Sequence, residues 1–186
     1  REKWQKSLVY TPEVLALARV VLEEVRRGRA VDQAVRRHPG PGGGYLPKHA
    51  LVAAYRGLVE GGEMAEDPAL LARIRMKPVR TLSGVTTVTV LTKPYPCPAD
   101  CLFCPSDVRM PKSYLPDEPG ARRGLEHGYD PYGQVSSRLS ALQAVGHPVD
   151  KVELLILGGT WSAYRHDYQE WFVQRCFDAL NGVDST

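Results

Sequence analysis

Apolar residues recur at helical spacing in "TPEVLALARVVLEEVRRG", at Val14, Leu17, Ala18, Val21, Leu22 and Val25. This pattern predicts an amphipathic helix capped by Thr11, opened by Pro12 and stopped at Gly28. "AVDQAVRRHPG" predicts a shorter helix ended by Pro39, and "PGPGGG" a flexible connection. "PKHALVAAYRGLVEGG" predicts a third helix, and Asp67 with Pro68 opens a fourth, short one. Residues 1–80 therefore read as a small helical domain.

The pattern changes at "TLSGVTTVTVLTKPYPC", where β-branched residues from Val85 to Val90 predict a buried strand. A polar, Pro-rich stretch follows, and then Asp130 and Pro131 start a helix through Val135, Leu139, Leu142 and Val145, ended by Gly146. "KVELLILGGTW" predicts a second buried strand with two glycines at its carboxyl end. Asp167 is expected to open a last helix through Phe172, Cys176, Ala179 and Leu180 to Gly182. Strand, loop, helix, strand, helix over residues 81–186 is the pattern of an α/β fold with a parallel sheet, whose sites sit at the carboxyl ends of the strands.

Composition narrows the class: 186 residues, 43% hydrophobic and 24% charged, suit a globular chain of one or two domains. No run reaches the roughly 20 apolar residues of a membrane span, and "REKWQKSLVY" lacks an apolar signal region, so no membrane and a cytoplasmic location are expected. The net charge is only +3, but residues 1–80 hold 15 Lys+Arg against 9 Asp+Glu, and the remainder 9 against 12. The basic half favours a polyanion. Its cations gather as Arg26, Arg27, Arg29, Arg36 and Arg37, and as Arg73, Arg75, Lys77 and Arg80 in "RIRMKPVR".

The candidate chemistry lies in "PYPCPADCLFCPSD", which places Cys97, Cys101 and Cys104 within eight residues. Four cysteines, three of them bunched, do not make a secreted disulfide framework; reduced thiols serving a metal are expected. A structural zinc site fills four positions from two ligand pairs, and there is no second CxxC and no HxxxH-type pair here. Three thiolates on a tight loop suit a [4Fe–4S] cluster with one iron left open for a small molecule.

The C-x₃-C-x₂-C spacing, with aromatic Phe103 before the third cysteine, a strand ahead of it and Gly158-Gly159 ending the next strand, resembles the radical S-adenosylmethionine (radical SAM) superfamily. "RTLSGVTTVTVLTKPYPCP", "SYLPDEPGARR", "YDPYGQVSSRLSALQAVGHPVDKVELLILGGTW" and "CFDALNG" further resemble the catalytic subunit of Elongator in its bacterial or archaeal stand-alone form, a tRNA uridine acetyltransferase. The resemblance runs from about Arg80 to Gly182 and is looser before it. Many superfamily members carry Glu after the glycines, where this chain has Thr160.

The resemblance implies an incomplete radical SAM (β/α) partial barrel after a basic, tRNA-binding helical domain. It also implies an enzyme that forms 5-carboxymethyluridine at the wobble position of tRNA from acetyl-CoA. In the family, SAM is cleaved by the reduced cluster, the 5′-deoxyadenosyl radical takes hydrogen from the acetyl-CoA methyl group, and the carbon radical attacks uridine C5. By motif position Cys97, Cys101 and Cys104 would ligate the cluster. Phe103, Gly158, Gly159 and Thr160 would line the SAM site, and Lys151 would act on acetyl-CoA. Arg26, Arg27, Arg29, Arg36, Arg37, Arg73, Arg75 and Lys77 would hold tRNA phosphates. A homo-oligomer is left open for the longer enzyme. A C-terminal acetyltransferase-like domain belongs to the family pattern, so the chain is expected to be a fragment and not fully active alone.

Another radical SAM enzyme, such as a methylthiotransferase, and a non-catalytic RNA-binding module with a structural metal are the competing readings. Cys176, on an apolar helix face, reads as core. His38, His49, His127, His147 and His166 show no metal-ligand spacing and read as surface or capping residues. Tyr129 and Tyr132 read as packing at a helix start.

Overall fold

The computed structural model describes residues 9–99, 101–105 and 107–185. The chain divides into two compact units: Arg1–Gly84 with Leu142–Val149, and Val85–Ala141 with Asp150–Thr186. Mixed helix and strand, with a small parallel sheet in the second unit, define the class as α/β.

The first unit contains α1 (Pro12–Arg26), α2 (Val31–Arg37), α3 (Lys48–Glu60) and α4 (Pro68–Ile74). The predicted caps form: Thr11 Oγ1 accepts from the Val14 amide at 3.4 Å, and Asp67 Oδ1 from the Leu70 amide at 2.9 Å. The apolar stripe of α1 closes on α3, so that Val21, Leu22, Val25, Leu51, Val52 and Ile74 share one buried core. The segment Leu142–Val149 is tied to this unit by specific bonds. The Met76 amide donates to the Val145 carbonyl at 3.0 Å, and Arg75 Nε to the Gly146 carbonyl at 2.9 Å. His147 is buried, with Nδ1 2.9 Å from Thr81 Oγ1, which corrects its reading as a surface histidine.

The second unit contains β1 (Thr86–Leu91), α5 (Pro119–Glu126), most of α6 (Pro131–Ala144), β2 (Val152–Leu157) and α7 (His166–Asn181). β1 and β2 pair in parallel from Thr86 opposite Val152 to Leu91 opposite Leu157. Helix α5 lies inside the polar, Pro-rich stretch for which the sequence predicts no element, because its short, charged sequence gives little apolar periodicity. Helix α7 starts one residue before the expected Asp167, with Arg165 as its cap residue, and ends at Gly182, whose φ of 68° is the left-handed C′ conformation.

One edge of β1 is taken by β2, since the Thr86 and Thr92 amides donate to the Lys151 and Leu157 carbonyls. Alternate residues of a strand direct their backbone groups to the opposite edge. There, Arg123 of α5 donates to the Thr89 carbonyl at 2.8 Å, while Gln134 of α6 takes both polar groups of Leu91. Side chains thereby take three of the backbone groups on an edge that would otherwise offer them to another strand.

Candidate functional site

The cysteine loop leaves the carboxyl end of β1, and Gly158-Gly159 leaves the carboxyl end of β2 beside it. The parallel register makes this meeting obligatory: Leu91 stands opposite Leu157, so the two loops start level with one another. The contact is close at Gly158, where an added Cβ would lie 1.9 Å from Thr92 Oγ1, so no larger residue fits. At Gly159 a Cβ would meet nothing nearer than Lys112 Cβ at 3.8 Å. Gly158 thus serves packing, while Gly159 keeps an open backbone face.

An aromatic ladder supports the start of the cysteine loop. Tyr95 stacks on Tyr164 with ring centroids 4.8 Å apart, and Tyr164 on Tyr168 at 5.1 Å. The Tyr164 hydroxyl lies 2.8 Å from Thr92 Oγ1 and donates to the Lys93 carbonyl at 2.7 Å. Burial pushes the Tyr168 phenol up to about 12, so it stays neutral; its hydroxyl accepts from the Lys93 amide at 3.2 Å, and the Lys93 ammonium lies over its ring at 4.5 Å. These tyrosines were not singled out in the sequence; the run "YRHDYQEWF" gives their helical spacing but not the strand end that they brace.

Cys97, Cys101 and Cys104 are free thiols at the surface of this loop, Cys101 exposed and the others half-buried. Cys97 Sγ lies 3.3 Å from Thr160 Oγ1, and Cys104 Sγ 2.8 Å from Ser113 Oγ. The hydroxyl of Thr160, first, and backbone bonding and the Lys112 charge hold the Cys97 thiol below its ordinary pKa, favouring thiolate. Cys176 is the opposite case: it is fully buried in α7, and burial pushes its thiol up to about 12. The three loop thiols are not drawn into one cluster, and among the described residues no three His, Cys, Asp or Glu groups stand close enough to hold a metal ion.

Leu102 and Phe103, between the second and third cysteines, are 92% and 95% exposed. Pro94, Tyr95, Pro96, Asp107, Val108, Met110 and Lys112, from the segments flanking the cysteines, line an open cavity. Asp107 is held at about 2 by its hydrogen bonds to the Arg109 side chain and amide. Exposed apolar side chains around free thiols are an unfinished surface, suited to closing over a ligand.

Lys151 is exposed at the amino end of β2, the end opposite the thiols. Six strand residues at about 3.3 Å each put it roughly 20 Å from the Gly158-Gly159 turn. The structure therefore brings Thr160 and the glycines to the cysteine loop but not Lys151.

The basic residues of the first unit divide in two. Arg26 and Arg27 pair with Glu23 at 3.5 and 3.1 Å, and Arg29 and Arg37 with Glu24 at 2.9 and 4.0 Å. All four, with Arg36, Arg73 and Lys77, are exposed. Arg75 is half-buried and committed internally, to the Gly146 carbonyl and, at 3.3 Å, to Thr81 Oγ1.

No protein-family model matches the chain. It is 47% identical over 127 residues to the tRNA uridine(34) acetyltransferase of Methanocaldococcus jannaschii, covering 65% of this chain and 24% of that protein. It is 50% identical over 104 residues to that of Dehalococcoides mccartyi, covering 56% and 23%. Human Elongator complex protein 3 is 37% identical over 127 residues, covering 62% and 23%. Among solved structures it resembles the archaeal Methanocaldococcus infernus Elp3 with an N-terminal deletion of residues 1–46, at 36% identity and a TM-score of 0.38, over 55% of this chain and 17% of that one. No described helix is long and apolar enough to cross a membrane. Over the stretch that it shares with them, the chain is similar in sequence to the tRNA uridine(34) acetyltransferases and to Elongator complex protein 3, and it spans about a quarter of their length.

Proposed function

We propose that this chain carries the cluster-binding part of a tRNA-modifying enzyme that forms 5-carboxymethyluridine at the wobble position, with acetyl-CoA as carbon source. The observation that carries this reading is that the loop bearing three free thiols leaves β1 beside the Gly158-Gly159 turn after β2, with Cys97 Sγ 3.3 Å from Thr160 Oγ1, in a chain similar in sequence to tRNA uridine(34) acetyltransferases. The two-stranded parallel sheet is then the beginning of a radical SAM partial barrel.

The donor set fits a [4Fe–4S] cluster. Three thiols come from one exposed loop without a disulfide, the Cys97 thiol is held below its ordinary pKa by the Thr160 hydroxyl, and no fourth thiol competes, since Cys176 is buried and held protonated. When bound, the cluster with SAM supplies an electron and a carbon radical initiator. The chain's own residues would hold the group: Cys97, Cys101 and Cys104 would ligate it, Gly159 and Thr160 would offer a bare backbone and a hydroxyl to SAM, and exposed Phe103 would supply an apolar face beside the bound molecule.

The exposed cations Arg26, Arg27, Arg29, Arg36, Arg37, Arg73 and Lys77 hold tRNA phosphates in this reading, and Arg75 supports the fold beneath them. Lys151, far from the thiols, grips a phosphate of acetyl-CoA instead of touching the reacting carbon. The test is product analysis with the full-length enzyme, SAM, acetyl-CoA, reductant and tRNA. Cys101→Ser should abolish carboxymethylated uridine while tRNA binding persists; undiminished product would overturn the reading.

A further inference from the structure

Two of the three loop thiols face a hydroxyl from outside the loop. Ser113 Oγ stands 2.8 Å from Cys104 Sγ, and Thr160 Oγ1 3.3 Å from Cys97 Sγ. Both hydroxyl-bearing residues are exposed, so neither needs an internal partner to avoid a buried, unpaired polar group.

The backbone at Ser113 makes the contact informative. Its φ is 78°, in the left-handed region where glycine sits with less strain than any residue bearing a Cβ. A serine there carries a hydroxyl that glycine lacks, and that hydroxyl faces Cys104.

The segment before it is fixed from several sides. Asp107 and Arg109 form an ion pair at 2.6 Å, the Tyr129 hydroxyl donates to the Arg109 carbonyl, and Met110 and Pro111 are buried. Lys112 lies against Gly159. Ser113 therefore reaches the third cysteine from a braced segment, and Thr160 reaches the first cysteine from the turn that closes β2.

We propose that Ser113 and Thr160 are positioning residues whose hydroxyls donate hydrogen bonds to the sulfurs of Cys104 and Cys97, and thereby raise the reduction potential of the cluster that these cysteines hold. The inference rests on the cluster reading above. Adding an electron makes a thiolate-ligated cluster more negative, so a donor at sulfur stabilises the reduced state more than the oxidised one. The two contacts bracket the loop, one on its first ligand and one on its last, and leave exposed Cys101 without either.

The test is a redox titration, followed by electron paramagnetic resonance, of the anaerobically reconstituted full-length enzyme. Ser113→Gly and Thr160→Val should each move the midpoint potential to more negative values with iron and sulfide content unchanged, and the double variant further still. Thr160→Ser, which keeps the hydroxyl, should titrate like wild type. Ser113→Gly should also unfold no more easily than wild type, because it relieves the left-handed serine. Unchanged potentials in cluster-loaded Ser113→Gly and Thr160→Val overturn the inference alone. Loss of iron from both variants overturns it too, by making the hydroxyls supports of the loop. A wild-type enzyme that takes up no iron overturns the cluster reading and this inference together.

Discussion

Gln134 pairs with Leu91 as a strand would: the Leu91 amide donates to Gln134 Oε1 at 2.8 Å, and Gln134 Nε2 donates to the Leu91 carbonyl at 2.9 Å. The glutamine is fully buried, and Leu91 is the last residue of β1 before the chain turns toward the cysteines. A helix side chain thus fixes the point from which the candidate site departs. Together with Arg123 on Thr89, it caps the carboxyl-end part of the β1 edge not occupied by β2.

Gln134→Leu should leave a buried amide and carbonyl unpaired at about 1–3 kcal/mol each, a total loss of roughly 2–6 kcal/mol in denaturant unfolding. Gln134→Glu should be worse at neutral pH than at low pH, because an ionised carboxylate accepts from the Leu91 amide but repels its carbonyl. A loss below about 0.5 kcal/mol in Gln134→Leu would show that the pairing is replaceable, the size expected of an ordinary surface change.

Gly158 and Gly159 should respond differently to alanine. Gly158→Ala places a Cβ 1.9 Å from Thr92 Oγ1 and should destabilise by about 1–3 kcal/mol or more, whereas Gly159→Ala should stay within roughly 1 kcal/mol. Thr92→Ala removes that oxygen but leaves Thr92 Cβ at 3.2 Å, so the double variant should be less damaging than the two single losses summed. Equal effects of the two glycine substitutions in thermal unfolding would refute the assignment of separate roles.

Much of this arrangement is legible in the sequence, for identifiable reasons. Thr11, Pro12 and Gly28 mark the ends of α1 by local chemistry alone, and the β-branched run at Val85–Val90 needs only its own residues to be read as a strand. The three cysteines are legible because their spacing is local. What was not legible depends on distant partners. Gln134 is a polar residue within an apolar helix pattern, and its meaning comes from Leu91, 43 positions earlier. Arg75 reads as one more cation until Gly146 and Thr81 take its guanidinium. His147 reads as surface until Thr81 is seen beneath it. The amino-end position of Lys151 is implicit in the strand pattern, but its distance from the thiols needs the parallel register.

The two kinds of arginine should separate by assay. Arg75→Ala should destabilise the fold by about 1–3 kcal/mol through the loss of charged hydrogen bonds to Gly146 and Thr81. Reversing Arg36, Arg37 and Lys77 to Glu should cost about 1–2 kcal/mol of stability, because Arg36 and Arg37 sit in the last turn of α2 and Arg37 faces Glu24, while weakening tRNA binding and flattening its dependence on salt. Filter-binding titrations over a range of salt concentrations check this. An unchanged salt slope in the triple reversal would remove these residues from the tRNA surface.

Lys151→Ala should alter acetyl-CoA use and nothing else. Its side chain is exposed at the strand end remote from the thiols, so cluster content and tRNA affinity should match wild type in the full-length enzyme, with a several-fold rise in the KM for acetyl-CoA. Unchanged acetyl-CoA kinetics with tRNA present would return Lys151 to a solvated strand end.

Anaerobic reconstitution of this chain with iron and sulfide, followed by metal and sulfide analysis, tests the central claim most directly. The account predicts about four iron and four sulfide per chain in wild type, an oxygen-sensitive cluster signal, and loss of that signal in Cys97→Ser, Cys101→Ser and Cys104→Ser, with no change in Cys176→Ser. Tight binding of a single zinc without iron uptake, or a full cluster in any of the three loop variants, would contradict it.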